Sequence, residues 1–122
     1  MPRSNYIIPV VINIAFCVAY FAGQLVHAYP PPADPLVRIH YDLEVAGYCS
    51  KITPAVSAGF HSQLKIMVEN LNADRETILK ARSDAMTAVY REWGNRGLGG
   101  FRGWCRKEGV ASANRFSPNS KP

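Results

Sequence analysis

The sequence predicts an all-α fold, a small bundle of about three antiparallel helices plus a C-terminal helical turn, with one disulfide. Apolar residues recur at intervals of three and four between residues 36 and 93, and no stretch shows the period-two alternation of strands. Short polar or proline-containing connections separate these periodic stretches, which favours antiparallel neighbours. Two cysteines, Cys49 and Cys105, bracket most of the helical region.

The first 28 residues have the pattern of a secretory signal peptide. Arg3 is their single charge, and an apolar stretch near residues 7–22 follows it. Val26-His27-Ala28 then supplies small side chains at the −3 and −1 positions of a cut after Ala28.

The alternative is that residues 6–26 stay in place as a transmembrane anchor, because about 20 apolar residues span a bilayer. Both interpretations export residues 29–122. We therefore expect either a periplasmic or extracellular protein, or a membrane-anchored one with residues 29–122 on the outer side.

Residues 29–35, Tyr-Pro-Pro-Pro-Ala-Asp-Pro, are predicted to form a stiff Pro-rich spacer. The disulfide-stapled helical domain should then cover residues 36–109, followed by a flexible tail over residues 110–122. The apolar face of its first helix continues to Cys49, which directs that cysteine toward the core; this face comprises Leu36, Ile39, Leu43 and Ala46.

Thr53-Pro54 begins a second helix, since Thr is a good N-cap and Pro is tolerated at the first helical position. Asn72-Ala73-Asp74 begins a third, which Gly94 should end. Residues 96–100 should be flexible. The predicted core face of the second helix is Val56, Phe60, Leu64, Met67 and Leu71, and that of the third is Ile78, Ala81, Ala85, Val89 and Trp93, widened by Leu79, Met86 and Tyr90.

Export makes a Cys49–Cys105 disulfide the simplest pairing in the exported part of the chain. Closing a loop of this length is worth about 4 kcal/mol in chain entropy. Cys17 lies in the leader and is interpreted as a small hydrophobic residue of that segment.

The sequence contains no motif that predicts catalysis. Haem attachment through Cys-x-x-Cys-His, the Gly-x-Ser-x-Gly nucleophile motif and the phosphate-binding loop are all missing. His40 and Glu44 form an i, i+4 pair, but a zinc site would need a third ligand such as His61 from another helix. We therefore predict no catalytic residue, no metal site and no cofactor. A small enzyme or metal-binding protein is the third alternative for function.

The positive charge is concentrated at the C-terminus. Residues 29–90 have a net charge of −1, whereas residues 91–122 have a net charge of +5. Arginine interleaved with aromatic residues and glycine favours an anionic partner, and export argues against nucleic acid. The predicted partner surface, a basic aromatic hook, comprises Arg96, Phe101, Arg102, Trp104, Arg106 and Lys107. The alternative is that Phe101 and Trp104 close the bundle while the arginines only solvate its end.

These observations predict an exported, non-catalytic binding or structural protein whose partner is a protein or an anionic envelope or surface component. The alternative is an accessory subunit of a membrane complex, anchored through residues 6–26 and held off the bilayer by the Pro-rich spacer.

Overall fold

The computed structural model describes residues 29–118. The predicted signal peptide and its alternative, the anchor, therefore lie outside the described residues. The described part of the chain is all-helical. Its elements are α1 (Pro35–Tyr48), α2 (Pro54–Leu71), α3 (Arg75–Asn95), α4 (Gly97–Trp104), a π-helical turn (Cys105–Gly109) and α5 (Val110–Asn114). The last three run on without a break, and we call residues 97–114 the C-terminal segment.

Each of the first three helices begins at a side-chain cap. Asp34 accepts hydrogen bonds from the backbone N–H groups of the first turn of α1, and Thr53 and Asp74 do the same for α2 and α3. Such caps satisfy N–H groups that have no partner within the helix. The Thr53-Pro54 and Asp74 starts predicted from the sequence are confirmed.

Helix α1 is the centre of the bundle, because it packs against α2, α3 and the C-terminal segment. Its first turn lines a cavity together with Thr77 and Ala81 near the start of α3. At the opposite end, the ring of Tyr48 lies 5.2 Å from that of Trp93. Helices α1 and α3 therefore run in the same direction, and α2 runs antiparallel to both.

Two groups of buried side chains form the core along α1. One lies toward α2 and comprises Leu36, Ile39, Ala46, Val56, Phe60, Ala81, Ala113 and Phe116. The other lies toward α3 and comprises Tyr41, Val45, Cys49, Ala85, Val89 and Trp104. The predicted inward faces of α1, including Cys49, and of α3 supply four of the eight residues in the first group and three of the six in the second.

The predicted disulfide is present, and it joins the end of α1 to the π-helical turn. Cys49 and Cys105 have Cα atoms 5.2 Å apart. Gly109 lies directly against this bridge, because a Cβ atom at that position would be 2.7 Å from the Cys49 Sγ atom. The bridge and the glycine together set how closely the C-terminal segment approaches α1.

The prediction of a flexible tail from residue 110 was wrong for the residues that the structure describes. Helix α5 covers Val110–Asn114, and Phe116 beyond it is 2% exposed. Its ring meets that of Phe60 at 5.7 Å in an edge-to-face contact. The polar composition of this stretch indicated a tail, but its few apolar residues are spaced to reach the core.

Three details of the predicted helices also differ in the structure. Gly94 lies inside α3, and α4 begins at Gly97, within the stretch that was predicted to be flexible. Gly99 has a φ of +90°, which L residues rarely adopt. The predicted core positions that are instead exposed are Leu71, Leu79, Met86 and Tyr90, because the described bundle packs on only one side of α2 and α3.

The residues predicted to be a spacer do not simply extend from the bundle. Pro35 is the first residue of α1, and the backbone N–H of Tyr29 donates to Glu92 of α3 across 3.2 Å. The segment therefore returns along the bundle to the far half of α3. No helix among residues 29–118 is both long enough and apolar enough to cross a bilayer.

Candidate functional site

Three residues of the predicted partner surface are exposed cations on the C-terminal segment. Arg102, Arg106 and Lys107 are all exposed, and within residues 29–118 no ion pair involves any of them. We call these three residues the basic surface. Phe101 beside them is 37% exposed, and its ring contacts that of Trp93 at 5.0 Å.

The π-helical turn explains how the basic surface is displayed. Arg102 precedes Arg106 and Lys107 by four and five residues, and a helix with i→i+5 hydrogen bonds brings such positions to one side. The opposite side of the segment carries Trp104 and Gly109, which are buried. The segment is thus amphipathic, with its apolar side on α1 and its cations toward solvent.

Two predicted members of the partner surface belong to the bundle instead. Trp104 is 3% exposed and packs in the core next to α3. Arg96 pairs with Glu92 one turn earlier on α3, and its guanidinium lies 5.7 Å from the centroid of the Trp104 ring. These two residues hold the C-terminal segment in place, as the bundle-closing alternative had predicted for Trp104.

A buried carboxylate fixes the underside of the C-terminal segment. Asp42 of α1 is 3% exposed. It accepts hydrogen bonds from the Arg38 guanidinium, from the Ser112 hydroxyl at 3.1 Å and from Arg115 Nη1 at 2.7 Å. Breaking such a pair by removing one partner is costly, because a buried charge is left uncompensated. The network therefore ties α5 to α1 about two helical turns before the disulfide at Cys49.

A second buried carboxylate lies where the N-terminal residue of the described chain meets α3. Glu92 is 2% exposed and accepts from both Arg96 and the Tyr29 backbone N–H. Tyr41 lines the same small cavity. Its pKa is raised by burial and, to a smaller extent, by the negative charge of Glu92.

The histidine considered as a metal ligand is a core residue. His40 is 6% exposed and packs its ring against Phe60 at 5.5 Å. Burial lowers its pKa, and the nearby charge of Arg82 lowers it further. Among the described residues no group of three His, Cys, Asp or Glu side chains is arranged to hold a metal ion.

Sequence reasoning missed both buried carboxylates and the close packing of Gly109. Glu92 and Arg96 are four residues apart, as are Arg38 and Asp42, and this spacing signals an i, i+4 ion pair. The spacing does not reveal that Arg115 also binds Asp42, or that the backbone N–H of Tyr29 also binds Glu92.

Comparison of the chain with protein-family models, with curated proteins and with solved structures found no match.

Proposed function

We propose that this is an exported, non-catalytic binding protein, and that its basic surface recognises the acidic face of a protein partner. The observation that carries the proposal is a set of three exposed cations, without an ion pair in the described part of the chain, on a segment anchored at several points. Charged side chains that only solvate a surface need no such anchoring.

Anchoring matters because ordering a flexible loop on binding costs free energy. The C-terminal segment is held by the disulfide to α1, by Trp104 in the core and by the Asp42 network. Arginine and aromatic side chains are enriched at protein interfaces. Arg102 and the partly exposed Phe101 offer both kinds of contact side by side.

The test reverses charge on the basic surface in the full chain. We expect Arg102→Glu with Arg106→Glu to abolish capture of the partner from the envelope fraction of the native host. The melting temperature should stay unchanged, since exposed residues without ion pairs contribute within about 0.5 kcal/mol. Capture by the unchanged protein should weaken as salt is raised.

A matched control keeps the same change in net charge elsewhere. Lys65 of α2 and Arg75 of α3 are exposed and have no ion pair within the described part of the chain. Lys65→Glu with Arg75→Glu should capture the partner as well as the unchanged protein does. Equal capture by both double variants would refute the proposal that the basic surface binds the partner. If the unchanged protein binds anionic vesicles or polysaccharide and captures no protein, the basic surface recognises an envelope component instead of a protein.

Localisation is tested separately by mass spectrometry of the protein from its native host. The proposal expects a mature N-terminus at Tyr29. A chain that retains residues 1–28 would favour the anchored accessory subunit.

A further inference from the structure

We propose that Glu92 is the docking site for the α-ammonium group that cleavage after Ala28 creates on Tyr29. Hydrolysis of that peptide bond consumes one water molecule, leaving a carboxylate on Ala28 and, after protonation, an ammonium on Tyr29. The inference rests on the cleaved form of the proposed function, but not on the basic surface. It makes removal of the leader a step that completes the fold of the exported domain.

The first observation is the geometry around Glu92. Its side chain is 3% exposed, and one carboxylate oxygen pairs with Arg96. The other oxygen, Oε2, accepts from the backbone nitrogen of Tyr29 at 3.2 Å. This nitrogen is the atom that becomes the amino terminus when the chain is cut after Ala28.

The second observation is a pocket that holds the first residue. Tyr29 and Pro30 line a cavity of about 180 Å³ with Tyr41 and Glu92. The Arg91 guanidinium lies 5.4 Å from the centroid of the Tyr29 ring, within cation–π range. Tyr29 itself is 49% exposed, so a terminal residue fits here without being fully desolvated.

An ammonium group suits this pocket better than the amide of an uncut chain. The amide offers one neutral donor, whereas an ammonium offers three donors and a positive charge. The ammonium also adds the Coulombic attraction of a full positive charge to the Glu92 carboxylate, which the neutral amide lacks. The three prolines that follow Tyr29 fix φ and so limit the chain entropy lost when the segment docks.

The charged groups around the pocket are compatible with an added positive charge on the nitrogen of Tyr29. Glu92 and Glu108 both act electrostatically on Tyr41, which faces the pocket from α1. Arg91 and Arg96 are the cations close to the Tyr29 segment. Arg96 already pairs with Glu92, and the ammonium adds a direct contact to the carboxylate oxygen that Arg96 does not occupy.

The experiment uses the full chain, exported and processed by a host, with the N-terminus of each product mapped by mass spectrometry. Four proteins are compared: the unchanged chain, a chain with threonine inserted between Ala28 and Tyr29, Glu92→Gln, and the combination. The insertion moves the amino group by one residue, about 3.8 Å. We expect it to lower the melting temperature by about 5 °C, but to cause no further loss in the Glu92→Gln background.

A second measurement covers the case in which Glu92→Gln does not fold because Arg96 loses its partner. The rate at which an amine-selective acylating reagent modifies the N-terminus is compared in the unchanged protein and the insertion variant. The docked amine should react several-fold more slowly than the displaced one. Equal melting temperatures and equal acylation rates would overturn the docking site.

The outcomes separate this inference from the proposed function. An uncut leader, or a cut elsewhere, would overturn both the docked ammonium and the cleaved form of the exported protein. A cut at Tyr29 with no energetic coupling to Glu92 would overturn only the docking site. Loss of coupling with partner capture intact would leave the basic surface standing.

Discussion

His40 shows how a single residue makes the stability of this fold depend on pH. The ring is buried against Phe60, and its Nε2 atom has no hydrogen-bond partner among residues 29–118. Burial, and then the charge of Arg82, lower the pKa of His40 below its usual value near 6.5. The unfolded chain therefore takes up a proton at higher pH than the folded chain does.

We expect the free energy of unfolding to fall as the pH drops below about 6.5, by at most about 1.4 kcal/mol per pH unit for this one proton. Above that pH both states hold a neutral His40, and its contribution is constant. Urea unfolding between pH 7.5 and 5.5 measures the slope. His40→Leu should flatten it, because the buried group no longer titrates.

The exposed His61 on α2 provides the control for this experiment. His61→Leu should leave the acid-dependent loss of stability in place. A His40→Leu variant that loses stability with the same slope as the unchanged protein would show that other groups cause the dependence.

At the scale of elements, the contact between α2 and the backbone of Phe116 depends on a glycine. A Cβ atom at Gly59 would lie 1.9 Å from the carbonyl oxygen of Phe116. Neither the backbone of α2 nor that of Phe116 can move far enough to relieve this clash without a loss of stability. The contact is what lets Phe116 reach Phe60 and close the core on the α2 side.

Gly59→Ala should therefore destabilise the protein by about 1–3 kcal/mol, the usual range for overpacking. Gly94→Ala is the matched control, because a Cβ atom at that position of α3 would meet no other described part of the chain within 4 Å, apart from the backbone of its own helix. Alanine is the better helix former there, and we expect a gain of about 0.5–1 kcal/mol. Urea unfolding midpoints measure both, and a stabilising Gly59→Ala would contradict the close approach.

The elements themselves were predictable because local signals fix them. Thr53, Pro54 and Asp74 act within one turn of their own helices, so their effect can be read without knowledge of the fold. Spacing also predicts part of the core faces of α1 and α3, but it missed the buried Tyr41 and Val45 of α1. Leu79 and Tyr90 were misassigned because periodicity shows that a helix has an apolar side, but not which elements cover its edges.

The C-terminal segment was harder to predict for the same reason. Its glycines around Gly97 indicate a loop by local propensity, and tertiary packing overrides that propensity. Of the predicted partner surface, the exposed cations could be found from charge counts. The separation of Arg96 and Trp104 from those cations depends on a core that includes residues far away in sequence.

At the scale of the whole molecule, the disulfide is expected to provide much of the stability of a small core. Cys49 and Cys105 close a loop with a sequence separation of 56. Replacing both with alanine should lower the free energy of unfolding by about 2–5 kcal/mol. Urea unfolding of the two proteins, each with and without reductant, measures the loss.

Reductant serves as the internal control for the cysteine substitutions. It should shift the unfolding midpoint of the unchanged protein and leave that of the doubly substituted protein where it is. Identical midpoints for all four samples would show that the bridge does not stabilise this fold.

The central position of α1 imposes an order of events on the chain as it emerges. The first described helix has its main partners in α3 and in the C-terminal segment, and its cysteine pairs with one in the last fifth of the sequence. Contacts between residues so far apart form late and slow folding. The apolar side of α1 therefore stays exposed until nearly the whole polypeptide has been synthesised. Because the fold cannot be completed before the C-terminal segment is present, the growing chain stays largely unfolded until its synthesis is nearly complete.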